Sequence, residues 1–277
     1  MKIFIAGATG VLGRALIPLL IQKGYFIRAI ARTPEKVRDL ELAGVETTLG
    51  DLLDYETARQ LPELLHGCDA AIHIATAIPH DRDAVGAWET TTRLRIDGTR
   101  LLLRAALASQ VKRYIQQSIT MAYVDGGDSW LDEFTPLDTS PERAAICRPI
   151  ITMEELVREV SPDQLQWCIL RGGFFIGPET MQEQQIADLR AERLVVAGDG
   201  RNFLSLINVF DMASAVDAAL EHAPASSTFN IVDQPIRNSD YLEQLAELVG
   251  APRPHHDPRQ PTPPSFRCDN QAAKRAL

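Results

Sequence analysis

The strongest constraint on the fold of this chain is a short glycine-rich stretch near its start. Gly7-Ala8-Thr9-Gly10-Val11-Leu12-Gly13 follows the apolar run 3–6 and leads into the helical pattern 12–22. A glycine pattern alone is weak; a strand before it and a helix after it give it meaning. In that setting Gly7 permits a tight turn, Gly10 lets backbone N–H groups approach a ligand, and Gly13 lets the helix pack on the strand. The helix start adds partial positive charge, which suits a diphosphate. Gly7, Thr9, Gly10, Val11, Leu12 and Gly13 are therefore expected to hold the phosphates of a dinucleotide.

The strand-to-helix alternation then repeats. Apolar, β-branched runs at 26–31, 45–49, 70–74, 114–117 and 167–170 are interleaved with helical patterns at 57–65, 89–108 and 153–160. Continuous apolar strands separated by helices predict a parallel sheet covered on both faces, and right-handed crossovers make it doubly wound. After Arg171 the character changes: Gly172-Gly173 and Gly177-Pro178 break the regularity. A helix is expected at 182–193, a strand at 203–207, a helix at 211–221, a strand at 229–232 and a helix at 241–249 with Ser239 as N-cap. The proline-dense stretch 251–264 reads as an extended loop. This order predicts an α/β chain with a dinucleotide-binding domain over 1–172, to which 208–232 returns. A small C-terminal substrate-binding lobe is drawn mainly from 173–277.

Composition narrows the function. A formal net charge of −9 over 277 residues argues against a general nucleic-acid binder, since phosphate contacts need surplus Lys and Arg. No apolar run is long enough to span a bilayer, and the apolar start lacks a signal-peptide cleavage pattern. Cys68, Cys147, Cys168 and Cys268 are far apart and form no CxxC pair, so they read as reduced thiols of a cytoplasmic protein. No metal site is expected; His255-His256 reads as part of a solvated loop.

At the end of the second strand, where the adenosine ribose of a bound dinucleotide should lie, an NAD site usually carries Asp or Glu. This chain has Ala31-Arg32-Thr33 instead. Arg32 can pair with a 2′-phosphate, and Lys36 can add charge, so NADP(H) is the preferred cofactor, with NAD(H) possible. Asp51 and Leu52, after the third strand, are candidates to flank the adenine.

With these residues in place, the sequence resembles the short-chain dehydrogenase/reductase superfamily, in particular its extended and atypical members, the NAD-dependent epimerase/dehydratase family. The likeness rests on the Gly7–Gly13 turn, Gly50-Asp51-Leu52, His73-Ile74-Ala75, Gly98-Thr99, Leu170-Arg171-Gly172 with Gly177-Pro178, and Asn208-Val209-Phe210-Asp211. Residues 270–277 also resemble the start of the family's C-terminal stretch. The resemblance implies a Rossmann fold, NAD(P)-dependent redox chemistry or epimerisation of a small substrate, and cofactor contacts at Ala75, Thr76 and Gly172. It also implies a possible homodimer packed through helices 89–108 and 153–160.

The likeness fails where family catalysis is done. Members carry Tyr-x-x-x-Lys on one helix, and matching the segment before Glu154-Glu155-Leu156-Val157 puts Ile146 and Ile150 at those two positions. Checking each Tyr four residues on finds no Tyr-x-x-x-Lys anywhere. The family Asn three residues before Gly98 is replaced by Arg95. Candidate substitutes are Ser118, at the end of the fifth strand, to bond a substrate carbonyl, and Tyr123 as a proton donor. Arg148 and Cys147 are weaker candidates as a positive charge and a nucleophile. Three functions remain open: an NADP(H)-dependent oxidoreductase acting on a small carbonyl or enone, a non-catalytic NADP(H)-binding redox sensor or scaffold, and a sugar-nucleotide epimerase/dehydratase-like enzyme.

Overall fold

The computed structural model describes residues 1–79 and 84–277. Its centre is a seven-stranded sheet of β1 Lys2–Ala6, β2 Phe26–Ala31, β3 Glu46–Leu49, β4 Ala70–His73, β5 Arg113–Ile119, β6 Gln166–Gly172 and β7 Ser227–Ile231, in the order β3-β2-β1-β4-β5-β6-β7. All the ladders are parallel. Strand order reverses at β1, which pairs with β2 on one side and β4 on the other. Ligands of such sheets bind outside the carboxyl ends of the strands at that switch point.

Side chains alternate across each strand, so β1 sends Ile3 and Ile5 to one face and Phe4 and Ala6 to the other. On the first face they join Leu12, Leu16 and Leu20 of helix α1 (Val11–Gln22) and Met212, Val216 and Leu220 of a later helix, Val209–His222. On the second they meet Leu61 of Tyr55–Leu64, Leu102 of Thr99–Ala108 and Val157 of Ala144–Arg158. A separate core of Leu189, Val196, Leu206, Tyr241 and Leu245 lies in the C-terminal part of the chain.

Local departures from the sequence expectations have identifiable causes. Helix α2 (Pro34–Leu42) is unforeseen because it buries only Leu40; its signal is local, with Thr33 capping the Lys36 N–H and Pro34 at the first position. The expected single helix 89–108 is interrupted by a π-helical turn, Leu94–Gly98, between Glu89–Arg93 and Thr99–Ala108. The helix expected at 153–160 starts nine residues earlier, at Ala144, and carries Pro149 inside it, a residue that reads in sequence as a break. This puts Ile146 and Ile150 one turn apart on a single helix. The strand expected at 203–207 is two short strands, Phe203–Leu204 and Leu206–Asn208. In the proline-dense loop, His255–Asp257 pairs with Val195–Ala197.

The glycines of the first turn differ in what surrounds them. A Cβ on Gly13 would stand 2.3 Å from the Ala8 carbonyl oxygen, backbone that cannot yield easily. On Gly10 it would meet only the Gly7 oxygen, at 3.3 Å. Gly13→Ala is therefore expected to destabilise the protein by more than about 2 kcal/mol, and Gly10→Ala by less than about 1 kcal/mol. Urea denaturation of both variants checks the contrast, and equal losses would contradict it.

Candidate functional site

The carboxyl edge of the sheet offers two adjoining features, a backbone cradle at β1 and a pocket over β4 and β5. The cradle is the start of α1. Gly7 holds φ +103°, and a Cβ there would fall 2.6 Å from the Ala75 backbone nitrogen, so the turn lies hard against the strand end of β4. Gly10 is the N-cap of α1; no side chain caps the helix and no acidic residue stands in its first turn. The N–H groups of Val11, Leu12 and Gly13 therefore have no side-chain acceptor, and Gly10 is exposed in front of them. Open donors, a positive helix end and space at a glycine are what a diphosphate needs. The residues present thus fit a dinucleotide's phosphates.

Around this cradle the other expected contacts fall as follows. Arg32 is exposed at the end of β2 and makes no ion pair among the described residues. Lys36 is exposed in the first turn of α2, beside Glu35. The Asp51 carboxylate accepts the Leu53 N–H at 2.9 Å, which makes a local turn, and Leu52 is buried against Gly98. Ala75 is half-buried and Thr76 exposed. Gly172 differs: a Cβ there would lie 3.2 Å from the Phe175 ring and 3.3 Å from the Met212 sulfur, so its missing side chain makes room for protein packing. Arg14, beside the cradle, donates to the Thr9 carbonyl and pairs with Glu179 in the loop after Pro178.

The pocket is walled by Ala75 and Thr76, by the end of β5, and by Ile150 and Met153 of the helix Ala144–Arg158. Ile150 forms part of its wall, and Ile146 packs against the apolar cluster of Ala122, Cys147, Ile150 and Met153. Two titratable groups line it. His73 is buried, its Nδ1 shares a hydrogen bond with the Gln116 amide at 3.1 Å, and its Nε2 has no partner. Burial pushes its imidazole down to about 4, so the ring is neutral. Arg95, carried by the π-helical turn, is 6% exposed and makes no hydrogen bond or ion pair among the described residues. Burial lowers its guanidinium to about 10, which still leaves it charged at neutral pH.

The hydroxyls expected to serve chemistry have partners within the protein, although Ser118 also lines the pocket. Ser118 donates to Glu154 Oε1 at 2.6 Å. Glu154 accepts both Nε and Nη2 of Arg171, at 2.9 and 2.6 Å, and Nη2 of Arg158 at 3.0 Å. Arg171 Nη1 donates to the Tyr123 hydroxyl at 2.7 Å, and that hydroxyl donates to Asn230 Oδ1 at 2.8 Å. Tyr123 is 0% exposed, and burial drives its phenol well above the ordinary range for tyrosine. Tyr123 is thus a buried member of an internal network, its hydroxyl bonded to both Arg171 and Asn230. The Ser118 hydroxyl is held by the same network. Cys147 is buried and its thiol raised by burial, which removes it as a nucleophile; Arg148 is exposed. Sequence reading counted Arg95 only as a lost Asn; the observation that singles it out, burial without a partner, is not visible before folding.

The sequence profile described as the NAD dependent epimerase/dehydratase family matches residues 3–232. The chain belongs to the NAD-dependent epimerase/dehydratase family. Among relatives of this family member, the 3-diazoavenalumate denitrifying reductase of a Streptomyces species is 28% identical over 92% of this chain and 83% of its own length. Cinnamoyl-CoA reductase 2 of Arabidopsis thaliana is 30% identical over 98% of this chain and 82% of its own length. Among solved structures, dTDP-glucose 4,6-dehydratase from Streptomyces venezuelae, with NAD bound, superposes with a TM-score of 0.83 at 19% identity, over 99% of this chain and 90% of the other. At that identity the likeness is one of fold. Among the described residues, no helix is long and apolar enough to cross a membrane and no group of side chains could hold a metal ion.

The neutral His73 makes a pH prediction. Above about pH 6.5, its ordinary value, the imidazole is neutral folded or unfolded. Between there and about pH 4 the unfolded chain takes up a proton that the folded protein refuses, so stability falls with pH across that window and levels off below it. The loss amounts to about 3 kcal/mol. His73→Gln cannot titrate, so its Tm should fall less than that of the wild type between pH 6.5 and 4; parallel curves would contradict a desolvated imidazole.

Proposed function

We propose that this chain is an NADP(H)-dependent oxidoreductase that reduces a small carbonyl or enone substrate. The observation that carries the reading is the uncapped start of α1 placed directly beside a buried pocket, with Ala75 common to both. A dinucleotide whose phosphates rest on Gly10–Gly13 extends along the switch point, and its nicotinamide end reaches the pocket over β4 and β5. When bound, the reduced cofactor supplies hydride, the one hard step of the reaction. The work left to the protein is binding, orientation and exclusion of water. Ile119, Ile150 and Met153 give the pocket apolar walls, and Arg95 supplies positive charge. The proton comes from water, because the hydroxyls of Ser118 and Tyr123 are engaged in the network of Glu154 and Arg171. Similarity to reductases along most of the chain supports this class of reaction. The C-terminal core around Leu189, Leu206 and Tyr241 supplies the substrate side.

Preference for NADP(H) over NAD(H) rests on Arg32, exposed where the adenosine ribose lies, and on Lys36 one turn into α2. An ion pair with a 2′-phosphate there is charge-assisted and can be bidentate. One observation favours a second reading, a redox sensor that binds the dinucleotide without turnover: isoleucines stand at both family proton-relay positions, and Ile150 is 1% exposed.

Two measurements separate these. NADPH absorbance followed with a panel of aldehydes, ketones and enones should report oxidation with at least one class; bound cofactor without any oxidation would favour the sensor. In thermal-shift titrations the wild type should respond to NADP(H) at concentrations about tenfold or more below those needed for NAD(H), and Arg32→Asp should lose that preference. Unchanged selectivity would remove the role given to Arg32.

A further inference from the structure

We propose that the pocket over β4 and β5 is an anion site built around Arg95, and that it takes the carboxylate of the substrate. The proposal rests on the oxidoreductase reading for the word substrate, and narrows its substrates to carbonyl or enoic compounds that carry an acid group. Arg95 stands on Leu94–Gly98, where the helix widens to a π turn. Such turns interrupt an α-helix and recur at functional positions. Here the turn delivers a guanidinium into the protein: the residue is 6% exposed, yet it has no hydrogen-bond or ion-pair partner among the described residues. By contrast, Arg100, five residues on, pairs with Asp97 on the surface at 3.0 Å.

Burying a charge without a partner is unfavourable by several kcal/mol, and folded proteins usually remedy it with a counter-ion. No such remedy is present in the pocket. No carboxylate lines it, and its other titratable group, His73, is neutral and bonded to Gln116. Nearby Glu154 is fully taken by Ser118, Arg158 and Arg171. The pocket it lines mixes apolar Ile119, Ile150 and Met153 with polar Gln116, Gln117 and Ser118, none of which offers it a countercharge. The open space is about 10 Å³, so it admits a small polar group and not a whole acid; an oxyanion reaching in would find the rigid N–H fork of one guanidinium, which suits a bidentate pair.

The anion is a carboxylate for two reasons. A single guanidinium matches one negative charge and the planar fork of a carboxylate, whereas a tetrahedral dianion would bring more charge than it can offset. The phosphates of a dinucleotide have their own donors at the start of α1. Ala75 lies between the cradle and the pocket, so the acid group would sit beside the cofactor's reacting end. Short 2-oxo acids place a carboxylate next to the carbonyl carbon that takes the hydride, and 2-enoic acids place it one carbon further from C3, which takes the hydride while C2 takes the proton; these are the compounds this arrangement suits.

The test measures binding and does not require turnover. Protein saturated with NADP⁺ is titrated calorimetrically with 2-oxobutyrate, crotonate and formate, and with 2-butanone as the uncharged match to the oxo acid. The same titrations are run on Arg95→Met, and NADP⁺ affinity is measured separately in both proteins. The wild type should bind 2-oxobutyrate at least about tenfold more tightly than 2-butanone, and Arg95→Met should lose that difference while keeping its NADP⁺ affinity within about twofold. Removing an unpaired buried charge should also raise the Tm of Arg95→Met above that of the wild type, an effect that a merely structural arginine would reverse. If Arg95→Met does not fold, formate alone should raise the wild-type Tm in the presence of NADP⁺, more than chloride at equal ionic strength. Absence of binding by all three acids, or equal acid affinity in both proteins, overturns the anion site and leaves the oxidoreductase reading standing. Failure of NADP⁺ itself to bind the wild type would instead remove the reading on which the substrate assignment depends.

Discussion

The pairing of Glu154 with Arg171 fixes more of this molecule than any other polar contact. Both side chains are 3% exposed, and the guanidinium meets the carboxylate through two parallel bonds. A buried pair contributes little net stability when compared with apolar packing, but removing one partner leaves an uncompensated charge, at about 3–5 kcal/mol. Here the remaining hydrogen-bonding capacity is used as well. Ser118 and Arg158 complete Glu154, Tyr123 and the Glu133 carbonyl complete Arg171, and Asn230 completes Tyr123. The result joins β5, β6 and β7 to the helix Ala144–Arg158 and to the loop that follows β5. Fully satisfied networks of this kind specify one arrangement of their elements.

The contrast with the other half of the sheet edge explains where chemistry can occur. Around β5 to β7 the donors and acceptors close upon one another, so the Ser118 and Tyr123 hydroxyls already have protein partners. Around β1 and β4 the opposite holds: the first N–H groups of α1, the Nε2 of His73 and the guanidinium of Arg95 have no protein partner. Buried polar groups in folded proteins are overwhelmingly paired. Here the buried, unpaired His73 Nε2 lies with Arg95 in a pocket beside the open start of α1, at the point where strand order reverses.

How much of this was legible in the sequence follows the range of the interactions involved. The Gly7–Gly13 turn could be read because its meaning is local: a strand, a turn and a helix within one βα unit. The parallel sheet could be read because its strands are apolar on both faces. Helix α2 escaped because its stability comes from Thr33 and Pro34 at its start and not from an apolar stripe. The π turn has no pattern of its own, since Leu94, Leu101, Leu102 and Ala105 fit a continuous helix closely enough. The partners of Ser118 and Tyr123 were not legible because they lie 36 to 107 residues away, and a hydroxyl's surroundings are set by what it faces. Arg95 could be seen as a departure from the family pattern, but only burial gives that departure a sign.

Arg95 and Ile150 line one pocket, so each sets the surroundings of the other. Ile150 and Met153 offer no group that pairs with a cation, and among the pocket's described lining residues Arg95 is the charged one, His73 being neutral. Electrostatic attraction grows as the local dielectric falls, so apolar neighbours strengthen the hold of a guanidinium on an anion. Hydride transfer depends first on holding two carbon centres in register, and a charged anchor on the substrate does so directly. The proposed acid site therefore needs the isoleucine and the arginine together, one to leave the charge unpaired and the other to supply it.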